Sequence, residues 1–385
     1  MTLNDQLDRL ARFEPAPYPV VSLYLDATAG QHGRDQFQSF VRKEFRARAE
    51  TYPAGTPERA SLDQDLKRIG AYLANDLQAS ANGVAIFACS AGELFEAVQL
   101  DAAVGGHSLF IGDQPHLYPL ARLISQHPRY AAVIADTNHA RILVIAHGSV
   151  ERAQTVEGVK TRRTSQGGWS QARYQRHISN YHLHHVKDVV DALDRIVQRD
   201  NLDAILIAGD PVVIPIFREQ LPKHLADKVI DELTLPTDAP EHEILRASYE
   251  TLHRSNETTD RERVDAVLNA YRAGGLGVVG ADETLLALTN GQVDELLITA
   301  SLADLEGLRN TKAAQMALAN DAGLAEPAVE PVAAGEAEQA DIGTVRLADE
   351  LVAKARQTGA RITFIEDPSL LERCGGVAAL LRYRI

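Results

Sequence analysis

Short runs of aliphatic and β-branched residues alternate with long stretches of helical periodicity along this chain. That alternation restricts it to an α/β layer architecture, in which strands pair into sheets and amphipathic helices cover their faces. Residues 20–25 (Val-Val-Ser-Leu-Tyr-Leu) read as a buried strand ending at Asp26. Helical stretches follow over 35–51 and 57–77, separated by a break between Pro53 and Pro57. Residues 83–89 predict a second strand and 93–100 its hairpin partner. Farther along, 130–135 and 141–146 flank Asp136-Thr137-Asn138-His139 and predict a hairpin, with 149–156 as a third strand. Over 178–198 the residues Val186, Val189, Val190, Leu193 and Ile196 recur at helical spacing and mark an inner face. Residues 203–208 form a strand closed by Gly209-Asp210-Pro211. The last third predicts helices over 264–273 and 344–358 and strands over 361–365 and 377–384.

A chain of 385 residues holds two or three domains of ordinary size. The pattern divides into an N-terminal α/β domain over 1–127, a middle domain over 128–260 and a C-terminal domain over 261–385, with mixed sheets in the first two. A polar helical linker occupies 240–263, and 324–342, rich in Ala, Glu and Pro without an aromatic residue, reads as a disordered surface insertion. Gly275-Leu276-Gly277-Val278-Val279-Gly280 matches G-x-G-x-x-G, but it follows a helix and leads into a strand, the reverse of a dinucleotide site, so it reads as a turn. Asp136 and Asp210 end predicted strands; they are either acids of a conventional hydrolase or turn caps. No P-loop, Gly-x-Ser-x-Gly elbow or His-Glu-x-x-His is present, and no cofactor is expected. Two cysteines, Cys89 and Cys374, make no disulfide framework and fit a reducing cytosol. The polar, acidic start lacks a signal-peptide pattern, and no apolar run is long enough for a membrane span, so a cytoplasmic protein without a membrane partner is expected.

Formal net charge is −14, yet residues 158–187 contain no Asp or Glu. The same segment carries Lys160, Arg162, Arg163, Arg173, Arg176 and Lys187, together with His177, His182, His184 and His185. An acidic chain has no structural need to clear carboxylates from one segment; close approach to a polyanion supplies one. Inside it lies Gln166-Gly167-Gly168-Trp169-Ser170-Gln171-Ala172-Arg173. Paired glycines let backbone come close to a partner, and the segment connects a strand to a long helix whose start favours an anion. Arg34, Arg42, Lys43, Arg46 and Arg48 give another basic stripe, either an RNA contact or a solvated face. Trp169 stacks on an exposed base or packs against its own domain. No Cys or carboxylate near the four histidines completes a coordination set, so no metal is expected.

Two further stretches resemble one family. Residues 280–298, beginning Gly280-Ala281-Asp282-Glu283-Thr284, look like the start of the C-terminal domain of archaeal and eukaryotic class-I release factors and Pelota, and Cys374-Gly375-Gly376-Val377 onward resembles the end of that domain. The resemblance implies three domains, the third an α/β/α domain of the kink-turn-binding ribosomal-protein fold that engages a translational GTPase such as elongation factor Tu. It also implies a middle-domain Gly-Gly-Gln loop at the position of residues 166–173. Here Trp169 and Ser170 separate Gly168 from Gln171, which brings the loop nearer the Gly-Gly-Ser-Gln of the ankyrin-and-zinc-finger peptidyl-tRNA hydrolases, with Trp169 extra. No Asn-Ile-Lys-Ser stop-codon segment is present. The resemblance implies a ribosome partner, with rRNA and peptidyl-tRNA, and two roles. In the first, Gln171 with Gly167, Gly168 and Ser170 hydrolyses the peptidyl-tRNA ester while Lys160, Arg162, Arg163, Trp169, Arg173, Arg176 and His177 hold RNA. In the second, the protein is a non-catalytic hibernation factor, similar to the Balon type, that fills the A site and peptidyl-transferase centre.

Overall fold

A computed structural model describes residues 3–14, 18–28, 35–146, 148–158, 171–233, 235–305, 328–331 and 342–384, with side chains described from 37 in the second of its helices and from 181 in the fifth. The alternating pattern becomes three sheets flanked by helices; the first is wholly antiparallel, where a mixed sheet was expected, and the other two are mixed. The first sheet takes β1 (Val20–Asp26), β2 (Gly83–Cys89), β3 (Leu94–Leu100) and β4 (Gly106–Gly112), with β1 central and antiparallel to β2 and β4. Side chains alternate across a strand, so Val21, Leu23, Leu25, Val84 and Ile86 face α2 (Asp35–Glu50) and α3 (Pro57–Asn75), where they meet Phe37, Phe40, Leu62 and Ile69. Helix α3 starts where the sequence dictates: Pro57 sits in its first turn and the Thr56 side chain accepts the Arg59 N–H at 3.2 Å. Tyr24, Ala85, Phe87 and Phe110 point the other way, toward α1 (Leu3–Ala11) and α4 (Tyr118–Gln126).

The middle unit spans His127–Thr258. Its sheet runs β7-β6-β5-β8-β9, from β5 (Tyr130–Ala135), β6 (His139–Ala146), β7 (Ser149–Glu157), β8 (Ile205–Gly209) and β9 (Val229–Leu233). Helix α5 (Gln171–Asp200) lays Val186, Val189, Leu193 and Ile196 on one face, the residues its periodicity marks, joined by Val213 and Phe217 of α6 (Val213–Gln220); the short α7 (Lys223–Ala226) adds Leu225. The other face, with Ala132, Ile134 and Leu143, is covered by Ile244 and Leu252 of α8 (Glu241–Arg272). The expected linker and following helix are thus one 32-residue helix. Its polar composition hides a thin apolar stripe that buries on two different cores.

The third sheet runs β10-β14-β11-β13, from β10 (Gly277–Val279), β11 (Val293–Thr299), β13 (Arg361–Ile365) and β14 (Val377–Leu381). Val264 and Val267 of α8 cover the face bearing Leu297, Ile365 and Ala378. The opposite face, with Leu296, Ile298 and Phe364, carries α9 (Ala281–Thr289) and α10 (Ile342–Thr358), the expected α/β/α arrangement. The G-x-G-x-x-G stretch is a helix stop: Gly274 takes φ 65° and the Gly275 N–H reaches the Ala270 carbonyl at 2.8 Å. A Cβ on Gly277 would lie 2.4 Å from the Val267 carbonyl, so close packing against α8 demands glycine there. Within 324–342, expected to be unstructured, β12 (Ala328–Pro331) pairs antiparallel with β4 as an edge strand; the rest of that insertion lies outside the described residues.

The first and third sheets share a core. Residues 1–126 and 259–385 form one compact unit, in which α1, α4 and α10 supply one continuous apolar cluster. At its centre Asp349 of α10 accepts the backbone N–H groups of Leu117 (2.8 Å) and Tyr118 (2.9 Å), capping α4 from 231 positions away, and also meets His116 Nδ1 at 2.8 Å. His116 in turn bonds β1 twice, its N–H to the Ser22 hydroxyl at 2.9 Å and its carbonyl to the Tyr24 hydroxyl at 2.6 Å. Burial, and then the Asp349 charge, push the Tyr24 hydroxyl well above its ordinary pKa. The Tyr118 hydroxyl donates to the Thr299 carbonyl at 2.5 Å, tying α4 to β11. Replacing Asp349 by Ala leaves two backbone donors and His116 buried without an acceptor. We expect a loss on the order of 3 kcal/mol in chemical denaturation; an unchanged midpoint would show that the node is not stabilising.

Candidate functional site

Strand β8 is parallel to β5, and β7 runs in the same direction because both it and β5 are antiparallel to β6. The carboxyl ends of β5, β7 and β8 therefore lie along one edge of the middle sheet, the edge where open α/β sheets hold ligands. There Asp136 follows β5, Gly158 follows β7 and Asp210 follows β8. The acid-free segment begins at this edge and ends in α5.

Asp136 is fully engaged. Its Oδ1 accepts the N–H groups of Asn138 (2.7 Å) and His139 (2.8 Å), and its Oδ2 accepts the Thr237 hydroxyl at 2.6 Å. Burial raises its pKa, but these three donors outweigh burial and hold the carboxyl below its ordinary value. The Thr237 segment is fixed by Arg141, whose Nη1 donates to the Ala239 carbonyl at 2.8 Å. Asp210 accepts the Val212 N–H at 2.8 Å through Oδ1, while its carbonyl takes the N–H groups of Val213 and Ile214. Of the two roles open to these aspartates, the structure assigns turn capping. The edge requires glycine at one position and packs tightly round another. Gly209 adopts φ 136° and a Cβ there would sit 1.9 Å from the Ala135 carbonyl. Gly158 donates to the Asn138 carbonyl at 2.6 Å, and a Cβ on it would lie 3.1 Å from both that oxygen and His185 Nδ1. The chain thus leaves β7 at a pinned point.

Beneath Gly158 lies His185, 4% exposed, with neither ring nitrogen in a hydrogen bond of good geometry. Burial lowers its pKa and is the largest influence; the His139 backbone and the charges of Asp136 and Asp188 oppose it without reversing it. The histidines of the basic segment consequently do not form one cluster: His185 faces the core, while His184 and Lys187 are exposed and His182 is half-buried. Among the described residues no group of three or more His, Cys, Asp or Glu is placed to hold a metal. Gln171 is the first residue of α5, and Arg173, Arg176 and His177 fall in its first two turns, where side chains are not described. Lys160, Arg162, Arg163, Gly167, Gly168, Trp169 and Ser170 lie outside the described residues. Thr237 and His185 carry no sequence signal of their role. Thr237 is 101 positions from Asp136, and His185 is written as one more member of a basic run.

Residues 115–252, which take in most of the middle unit, match the family model "Bacterial archaeo-eukaryotic release factor family 10", and residues 258–385 match "eRF1 domain 3". In both of these parts the chain is release-factor-like. The edge just described and the whole acid-free segment fall inside the first match, and the third sheet inside the other. Among solved structures, the archaeal translation termination factor aRF1 matches 99% of this chain and 97% of its own at 15% identity, with a TM-score of 0.26. Dom34 of S. cerevisiae, a translation termination-like factor interacting with Hbs1, covers 76% of this chain and 73% of its own at 12% identity and a TM-score of 0.42. Archaeal Pelota in a ribosome-bound model with ABCE1 covers 100% and 95% at 14% identity and 0.40.

The buried His185 is expected to make the middle unit acid-sensitive. Its folded pKa is below the unfolded value of 6.5, so between the two the unfolded chain binds more protons. The stability associated with neutral His185 is complete above 6.5 and is lost as pH falls below it. His185→Leu should flatten that part of the pH–stability curve measured by urea unfolding; an identical slope in the variant would contradict the assignment.

Proposed function

We propose that this release-factor-like protein acts on the ribosome, as a rescue or quality-control factor that hydrolyses the ester between a nascent peptide and tRNA. The observation that carries the reading is a junction: β7 ends at the pinned Gly158, a 30-residue helix begins at Gln171, and between them runs a basic segment free of carboxylates with a glycine pair before its glutamine. A strand end held by glycine packing gives a firm root. A basic segment approaches RNA phosphates at favourable potential.

The chemistry assigned to Gln171 follows from its place. The first N–H groups of a helix have no partner within it and sit at the positive end of the dipole. At the head of α5, the Gln171 N–H is suited to donate to the oxyanion that forms when water attacks the ester carbonyl, and its side-chain amide to orient that water. Gly167 and Gly168 supply close approach, Ser170 adjoins the glutamine, and Lys160, Arg162, Arg163, Arg173, Arg176 and His177 take phosphates, with Trp169 available to stack on a base. The eRF1-domain-3-like part is assigned the contact with a translational GTPase such as elongation factor Tu, and the protein a cytoplasmic location. No metal or cofactor enters this mechanism.

One feature favours an alternative reading. Trp169 and Ser170 separate Gly168 from Gln171, so the glutamine is displaced from the glycine pair and a bulky ring stands between them. A sequence of that kind suits a hibernation factor that fills the peptidyl-transferase centre without chemistry. Release of labelled peptide from stalled ribosome–peptidyl-tRNA complexes separates the two. Hydrolysis predicts release by wild type and a loss of about 10²-fold or more in Gln171→Ala with ribosome binding intact. Tight binding by both proteins and release by neither would assign hibernation. Failure to co-sediment with ribosomes would end both readings.

A further inference from the structure

Strand β7 is the outer strand of the middle sheet: among the described residues it pairs with β6 and with no other strand, and most of its length is exposed. Alternate residues of such an edge turn their N–H and C=O groups away from β6, where no strand among the described residues meets them, and an extended peptide matches them by adding a strand. Beside that edge lies a groove of about 420 Å³, walled on one side by β7 from Gln154 to Glu157 and on the other by the outer face of α5. An edge alone invites any strand. The groove discriminates, because the helix beneath it carries Asp188 and Asp191, Glu157 closes one end, and Arg195 stands at the other. None of the three carboxylates has an ion-pair partner among the described residues, and Asp188 and Asp191 are exposed.

We propose that the β7 edge and the groove over α5 receive an extended basic segment of a partner protein as a sixth strand. Alternate side chains of an added strand point the same way. Lys or Arg at every other position therefore face Asp188 and Asp191 on the α5 side, while the intervening residues face away and the backbone completes the ladder. The charge excludes the two other obvious occupants. Nucleic acid would meet three carboxylates. Another copy of this chain, brought edge to edge, would set its own Asp188 and Asp191 against the same residues of the first. The groove is lined by residues other than those given the release chemistry, so the inference does not rest on the release reading: it assigns the middle unit an acidic protein-binding edge.

The test uses the full chain and a fluorescein-labelled peptide of alternating Lys and Val, about ten residues long to span the edge. Anisotropy should show saturable binding by wild type. Asp188→Lys combined with Asp191→Lys, both on the exposed face of α5, should weaken binding about tenfold or more and confer binding of the matching Glu–Val peptide. A Lys–Val peptide N-methylated at alternate residues should fail, since it keeps the charge and loses the donors. Absence of binding by wild type, unchanged affinity in the double variant, or equal binding of the methylated peptide would each overturn the proposal. So would a dimer of wild type that the peptide dissociates, since that would assign the edge to another copy of the chain.

Discussion

A single buried carboxylate holds the larger unit together. Asp349 stands on α10 and completes the first turn of α4, which lies against a different sheet. A charge at that depth is costly unless every lone pair is used. Here two backbone donors and His116 use them, and His116 passes the constraint to β1 through Ser22 and Tyr24. The apolar cluster around the node is non-directional and would tolerate sliding of α10 against α4. The hydrogen bonds have fixed geometry and select one register. For this reason the first and third sheets behave as a single body, although the chain visits the middle unit between them.

The middle unit works by a different rule. Its sheet is covered on both faces, its inner described residues pack without a comparable charged node, and the informative features collect at one edge. Three strand ends, the glycine that Gly209 must be, the tightly packed Gly158 and an Asp136 turn fix where the basic segment departs. The buried His185 sits under that departure point as a neutral ring. The strand that leads into the basic segment thus ends at a well-determined point, inside the part of the chain that matches the bacterial archaeo-eukaryotic release factor model. The outer strand of the same sheet faces an acidic groove, so opposite charges are segregated onto neighbouring parts of one unit.

Much of this is legible in the sequence where local pattern decides. Buried strands such as β1, β2 and β5 are uninterrupted apolar runs, and α5 announces its inner face through Val186, Val189, Leu193 and Ile196. Strand β9 carries no such signal, because Val-Ile-Asp-Glu-Leu mixes polar residues into a half-buried edge position, and α8 reads as two pieces because its stripe is thin. The aspartates at the strand ends are acids or caps by pattern alone; only their donors decide, and these include a threonine hydroxyl far along the chain. His185 is indistinguishable from His184 in sequence, yet one is buried and the other exposed, because a one-residue step on a helix turns the side chain by about 100°.

The sequence by itself determined the α/β layering, the separation of basic loop from acidic chain, and the resemblance that placed the protein among release factors. Those properties are local: each is written in a run of neighbouring residues, in hydrophobic period, charge or motif. Tertiary structure alone decided that the first and third sheets share one core, that Asp349 caps a helix 231 positions away, that β12 joins β4, and which carboxylates are consumed by turns. These depend on which distant donor meets which acceptor once water is excluded, and pairing of that kind has no signature in the order of residues along the chain.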